Sequence, residues 1–138
     1  MMEAPDAWLY EYAVLRYVPR VDRGEFINIG LIMMNKRRKW MKGLVRLDEA
    51  RIKALFPATD INCLRNQCRL FERNDVPEKD LPVEEKYRWM TAVKSAVLQV
   101  SPSHPGMVPV RNKENMASKN AEEIMEEEFS RLFSRLVK

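Results

Sequence analysis

Three apolar runs dominate the first third of the chain, and turn-forming or charged residues separate them. Trp8 to Val18 is apolar at both even and odd positions (Tyr10, Tyr12, Val14; Leu9, Ala13, Leu15, Tyr17). That pattern predicts a central strand buried on two sides. Pro19 ends it, because proline cannot continue a ladder. After the reversal at Val21-Asp22-Arg23-Gly24, the longest apolar run reaches Met34. We take Glu25–Met34 as the strand around which the chain is organised. Asn28 and Gly30 interrupt its side-chain wall, and a strand glycine marks a bulge or a close backbone approach. A basic loop, Asn35 to Lys39, leads into a third run, Trp40–Leu47, where Gly43 is a second bulge candidate. Short connections imply an antiparallel meander.

The period then changes from two to three and four. Asp48 is placed to cap a helix over Glu49–Phe56, which Pro57 stops. Thr59 or Asp60 caps a second helix to about Arg73, with Ile61, Leu64, Cys68 and Phe71 as its buried stripe. Arg65, Arg69 and Arg73 form a separate basic face. Residues 74–82 read as a loop, Val83–Met90 as a short helix or turn, and Ala96–Ser101 as a fourth strand. Ser101–Gly106 is expected to be loop, and 107–119 an irregular, mobile loop. Asn120–Val137 is the clearest helix. Asn120 and Glu123 make a capping-box spacing, and Met125, Phe129, Leu132 and Leu136 make an apolar stripe. The expected fold is α+β: a four-stranded, mainly antiparallel sheet in the order β-β-β-α-α-α-β-α, with the helices packed on one face.

Composition narrows the class. The chain has 138 residues, 46% of them apolar and 32% charged, which suits one folded domain over 1–138 with a frayed leader at 1–7. No apolar run approaches the ~18 residues of a membrane helix, and the acidic start lacks a signal-peptide core. A cytoplasmic location is expected, with no membrane partner. Cys63 and Cys68 are five apart and point to different helix faces, so neither a disulfide nor a metal pair is implied. The net charge of +4 is mild but uneven. Six Lys or Arg and no acid fall between Lys36 and Arg46, and five Glu and no base between Glu122 and Glu128.

No phosphate loop, dinucleotide fingerprint, zinc-protease or serine-hydrolase motif occurs, and no cofactor or metal is called for. The candidate ligand site combines two stretches. Lys94, Ser95, Gln99, Ser101 and His104 offer one cation, hydroxyls, an amide and the sole imidazole. Arg23, Glu25 and Asn28, near Arg16, surround the start of the organising strand. Ordinary turn chemistry and surface ion pairing account for the same residues. The tip Lys36-Arg37-Arg38-Lys39, beside Trp40, is a candidate phosphate and base contact, although edge strands also carry such charges against aggregation.

These stretches resemble a bacterial family, domain of unknown function 3037. The resemblance lies in Tyr12–Arg16 with Val18-Pro19-Arg20, Arg23–Ile32, Leu47–Arg51, Tyr87-Arg88-Trp89, Gln99–Gly106 and Leu132–Val137. Its most specific elements are Arg-Gly-Glu-Phe-x-Asn-x-Gly and Ser-Pro-x-His-x-Gly. An extra polar stretch at Met107–Ala121 departs from the pattern. The resemblance implies a fold-length unit without an assigned activity, and a kinase-like partner of the HipA type. The expectation is a non-enzymatic binding or regulatory module that docks a partner protein or a phosphate-bearing ligand. One alternative is a small phosphoesterase using His104 and Glu25, with Lys94 or Arg23 stabilising the anion. The other is nucleic-acid binding through residues 36–40.

Overall fold

The computed structural model describes residues 6–72, 81–92, 95, 97–110 and 120–137. Its elements are β1 (Ala7–Tyr17), β2 (Ile27–Asn35), β3 (Trp40–Val45), α1 (Glu49–Leu55), α2 (Ile61–Glu72), α3 (Val83–Thr91), β4 (Leu98–Val100), β5 (His104–Pro109) and α4 (Ala121–Leu136). The sheet runs β3-β2-β1-β4, with β5 also on β1, and every pairing is antiparallel. The α+β class and the meander are as the sequence predicts. Asp48, Asp60 and Asn120 each cap a helix, accepting from the backbone N–H of Arg51, Cys63 and Glu123.

The segment 104–109 differs from expectation, being a fifth strand rather than loop. Its register against β1 joins Tyr12 to His104 and Ala7 to Pro109. Upstream, β4 joins Leu15 to Val100. Both lie on the same edge of β1, and Ser101, Pro102 and Ser103 stand opposite only Ala13 and Val14. The two are thus one long edge strand kinked where three residues face two. Its prolines hide it from a propensity reading, yet proline is tolerated on an edge strand. Ala7 is likewise in β1 rather than in a leader, and Val110 N–H donates to the Asp6 carbonyl at 2.8 Å.

Gly30 plays both roles assigned to it. Leu15 pairs with Gly30 and Arg16 with Asn28, so Ile29 is the extra residue of a bulge. A Cβ on Gly30 would also stand 3.0 Å from the Leu44 carbonyl oxygen. Gly43 is no bulge, because the β2–β3 register runs through it unbroken. Its lack of a side chain admits the end of α2: a Cβ there would lie 2.1 Å from the Phe71 carbonyl oxygen.

The helices do not share one face. On one side Leu15, Ile29 and Ile32 pack with Ile52 of α1 and with Leu64, Cys68 and Phe71 of α2, while Ala13 and Met34 meet Tyr87 of α3. On the other, Tyr10, Leu31 and Met33 pack with Met125, Phe129 and Leu132 of α4. The pleat explains this division. Successive residues of β2 point to opposite faces, all but Asn28 are buried, and a two-sided strand needs cover on both sides. Among the described residues no helix is long and apolar enough to cross a membrane.

Candidate functional site

The concavity that stands out lies between α3 and the three-helix face of the sheet. It encloses about 580 Å³, within the range of small-ligand sites. Its floor is Leu9 and Glu11 of β1, Met34 of β2 and Pro105 of β5. These residues share a face because the register sets Glu11 between Met34 and Pro105. One wall is α3, whose Glu84, Tyr87, Arg88 and Thr91 recur at helical spacing. The lip is the β2–β3 hairpin, which contributes Lys36 and Arg37, and Ser103 enters from the kink.

Local geometry fixes each wall. Asn35 is fully buried, and its Oδ1 accepts from the Arg38 N–H at 3.2 Å while Lys39 takes a left-handed φ of 52°. That pins the hairpin from which Lys36 and Arg37 project. The Tyr87 and Ser103 hydroxyls are hydrogen bonded at 2.8 Å, tying α3 to the kink. Burial pushes the Tyr87 phenol up to about 12 despite that bond, and the Glu11 carboxylate adds to the rise. Among the described residues no hydrogen bond or ion pair engages the side chains of Glu11, Glu84, Lys36 or Arg88. The cleft thus presents cations on its rim, one open carboxylate on an apolar floor and a second on the helix.

The residues expected to form one site are dispersed. Arg23 and Glu25 pair with each other at 2.6 Å on the exposed turn before β2. Asn28 holds the end of α4, donating from Nδ2 to the Leu136 carbonyl at 3.1 Å. Arg16 lies between Asn28 and Gln99 in register, and the Arg16 guanidinium lies 4.4 Å from the Phe26 ring centroid. The Arg16 Nε and Asn28 Oδ1 are buried without a hydrogen-bond partner among the described residues. Ser95 accepts from the Leu98 N–H at 3.0 Å, a local turn contact. Buried Ser101 accepts from the Val14 N–H at 2.9 Å and so takes part in the kink. His104 is exposed on β5, its ring 5.4 Å from that of Tyr12. Lys94 lies outside the described residues.

His104 does not meet Glu25. Tyr12, opposite His104, and Tyr17, opposite Ile27, are separated by roughly 17 Å of strand, and Glu25 lies beyond Ile27. The basic tip divides as well. Arg38 stacks on Trp8 at 3.9 Å, not on Trp40, which meets Phe129 edge-on. Trp8 and Trp40 both lie on the α4 side of the sheet, and it is the one distant in sequence that Arg38 meets.

The family described as Protein of unknown function (DUF3037) matches residues 12–137. The chain belongs to that family. No curated protein and no solved structure matches it. The motif residues now have physical roles in this chain. Gly106 makes room for Tyr10, whose ring would lie 2.4 Å from a Cβ there. Asn28 and Gly30 set the helix end and the bulge, and Tyr87, Arg88 and Ser103 line the cleft. Glu11, Lys36, Arg37, Glu84 and Arg88 cluster there, although only Lys36 and Arg37 were candidates by sequence. The missing signal was the fifth strand, which supplies Pro105 to the floor.

Proposed function

We propose that this family member is a non-enzymatic binding module whose ligand, carrying phosphate or another anion, docks in the cleft under α3. The reading rests on one convergence. Lys36, Arg37 and Arg88, from two separate elements, surround an apolar floor deep enough to take a small molecule. Two carboxylates keep the site from being a simple anion trap, which favours a defined ligand over any polyanion. A kinase-like partner protein, which the family resemblance suggests, is a natural source of such a group.

The phosphoesterase alternative is weaker, since its acid and its base stand at different ends of the sheet. Nucleic-acid binding through the tip is weaker for a similar reason. Arg38 is committed to Trp8, and Lys36 and Arg37 belong to the cleft. Calorimetry with nucleoside phosphates, a short oligonucleotide and a HipA-like kinase tests the proposal. Saturable binding that Arg88→Ala weakens and His104→Ala leaves alone is expected. Heat from none of the three, or binding indifferent to Arg88, overturns it.

A further inference from the structure

The rim cations account for an anion, but Glu11 does not fit a ligand that is anionic throughout. Its carboxylate stands on the floor, exposed, with apolar Leu9, Met34 and Pro105 beside it. A carboxylate accepts hydrogen bonds and donates none. A ligand that seats well here must therefore bring N–H donors to the floor and negative charge to the lip. The two demands are spaced apart. Lys36 is two residues along from Met34, the register partner of Glu11, so the lip lies past the end of β2 and apart from the floor acid. Leu9, Met34 and Pro105 beside the acid give the cleft an apolar surface on which a flat ring can lie.

Resting on the reading of the cleft as an anion site, we infer that it takes a guanine nucleotide, with the base on the floor against Glu11 and the phosphate at Lys36, Arg37 and Arg88. The chemistry of the base edges selects guanine. Its Watson–Crick edge offers parallel N1–H and N2–H donors, which match the two oxygens of one carboxylate. Adenine offers only the N6 amino group there and sets its N1 lone pair against the acid. Hypoxanthine keeps N1–H and lacks the amino group. Glu11 is open to solvent, so an oxygen left unpaired is rehydrated and the discrimination is moderate, about tenfold. Glu84 lies one turn before Arg88 on α3 and offsets part of the rim charge, so the base contact carries the selectivity.

The test is calorimetric titration of the full chain with GMP, IMP and AMP, and with inorganic phosphate. The expected order is GMP, then IMP, then AMP, with about tenfold or more between the first and the last. Glu11→Gln offers one acceptor and one donor, the arrangement that pairs with adenine. It should weaken GMP about tenfold and bring AMP level with it or ahead. Arg88→Ala should weaken all three nucleotides alike. Equal affinity for the three bases, with Arg88 still required, overturns the guanine assignment and leaves the anion-binding module standing. Failure of every phosphate compound to bind overturns both, and a base order unchanged by Glu11→Gln overturns the role of Glu11.

Discussion

The two faces of the sheet treat their charged groups in opposite ways. Under α4, Glu128 is 6% exposed and saturated: Arg131 grips both its oxygens at 2.8 and 2.9 Å, and the Tyr10 hydroxyl donates to it at 2.5 Å. Lys42 of β3 reaches Glu126 of the same helix at 2.5 Å. Under α3, Glu11, Lys36 and Arg88 face a cavity without partners among the described residues. A buried carboxylate must be paired to be tolerated, whereas a carboxylate open to solvent has no such need. Charge on the α4 face is therefore part of the fold, and charge on the α3 face is available to a ligand.

The sharpest way to break that contrast is to remove one acid from each side. Glu128→Ala leaves the Arg131 guanidinium and the buried Tyr10 hydroxyl without their acceptor. Destabilisation of about 3 kcal/mol is expected from the urea midpoint. Glu11→Ala removes a group that holds nothing and should stay within about 0.5 kcal/mol of the parent. Equal losses at the two positions would erase the distinction between the faces.

A gentler probe reaches the same triad through the edge strand. Gly106→Ala drives a methyl group into the Tyr10 ring, which is buried and has little room to give. A cost of about 2 kcal/mol is expected. It should shrink when Tyr10→Phe has already removed the bond to Glu128, a coupling measurable by a double-mutant cycle.

Alkaline pH tests both faces together. Burial raises the Tyr10 phenol, helped by its bond to Glu128, and burial raises Tyr87 to about 12. Both groups are neutral acids whose folded-state value exceeds the unfolded value of about 10. Their contribution is complete below pH 10; that of Tyr87 is lost as the pH rises through 12, and that of Tyr10 higher still. Stability should fall over that window, and less steeply in Tyr87→Phe. Thiols give a parallel readout. Cys68 is buried and its pKa raised to about 12, so a thiol reagent should label exposed Cys63 first in the native protein.

How much of this was legible beforehand follows from which forces are local. The three leading strands, the Asp48 and Asn120 caps and the helix stripes depend on spacing within a few residues, and the chain states them directly. The kinked edge strand does not announce itself, because Pro105 and Pro109 argue against any strand unless its place at an edge is known. The two-sided burial of β1 was legible, yet its consequence, that α4 must cover the face opposite α1 to α3, needs the pleat carried through a bulge at Ile29. The cleft was least legible of all. Glu11, Arg88 and Ser103 come from elements brought together by the register of β5, by the packing of Tyr87 on Ala13 and Met34, and by the Tyr87–Ser103 bond.

The smallest expected effect separates two arginines that look alike in sequence. Arg38 and Arg88 are both cations near aromatic residues, but Arg38 sits over the Trp8 ring on the α4 side, while Arg88 faces the cleft. An exposed cation–π contact contributes about 0.5 kcal/mol, so Arg38→Ala should move the urea midpoint only slightly and leave nucleotide binding untouched. Its clearest signature is optical. Removing the guanidinium should change the indole emission of the parent and have little effect in a Trp8→Phe background, where that stack is already gone. Arg88→Ala should do the reverse, sparing stability and the Trp8 signal while weakening the ligand. If Arg38→Ala weakened binding as much as Arg88→Ala did, the hairpin tip would act as one cationic surface, and the division of the tip between the two faces would not hold.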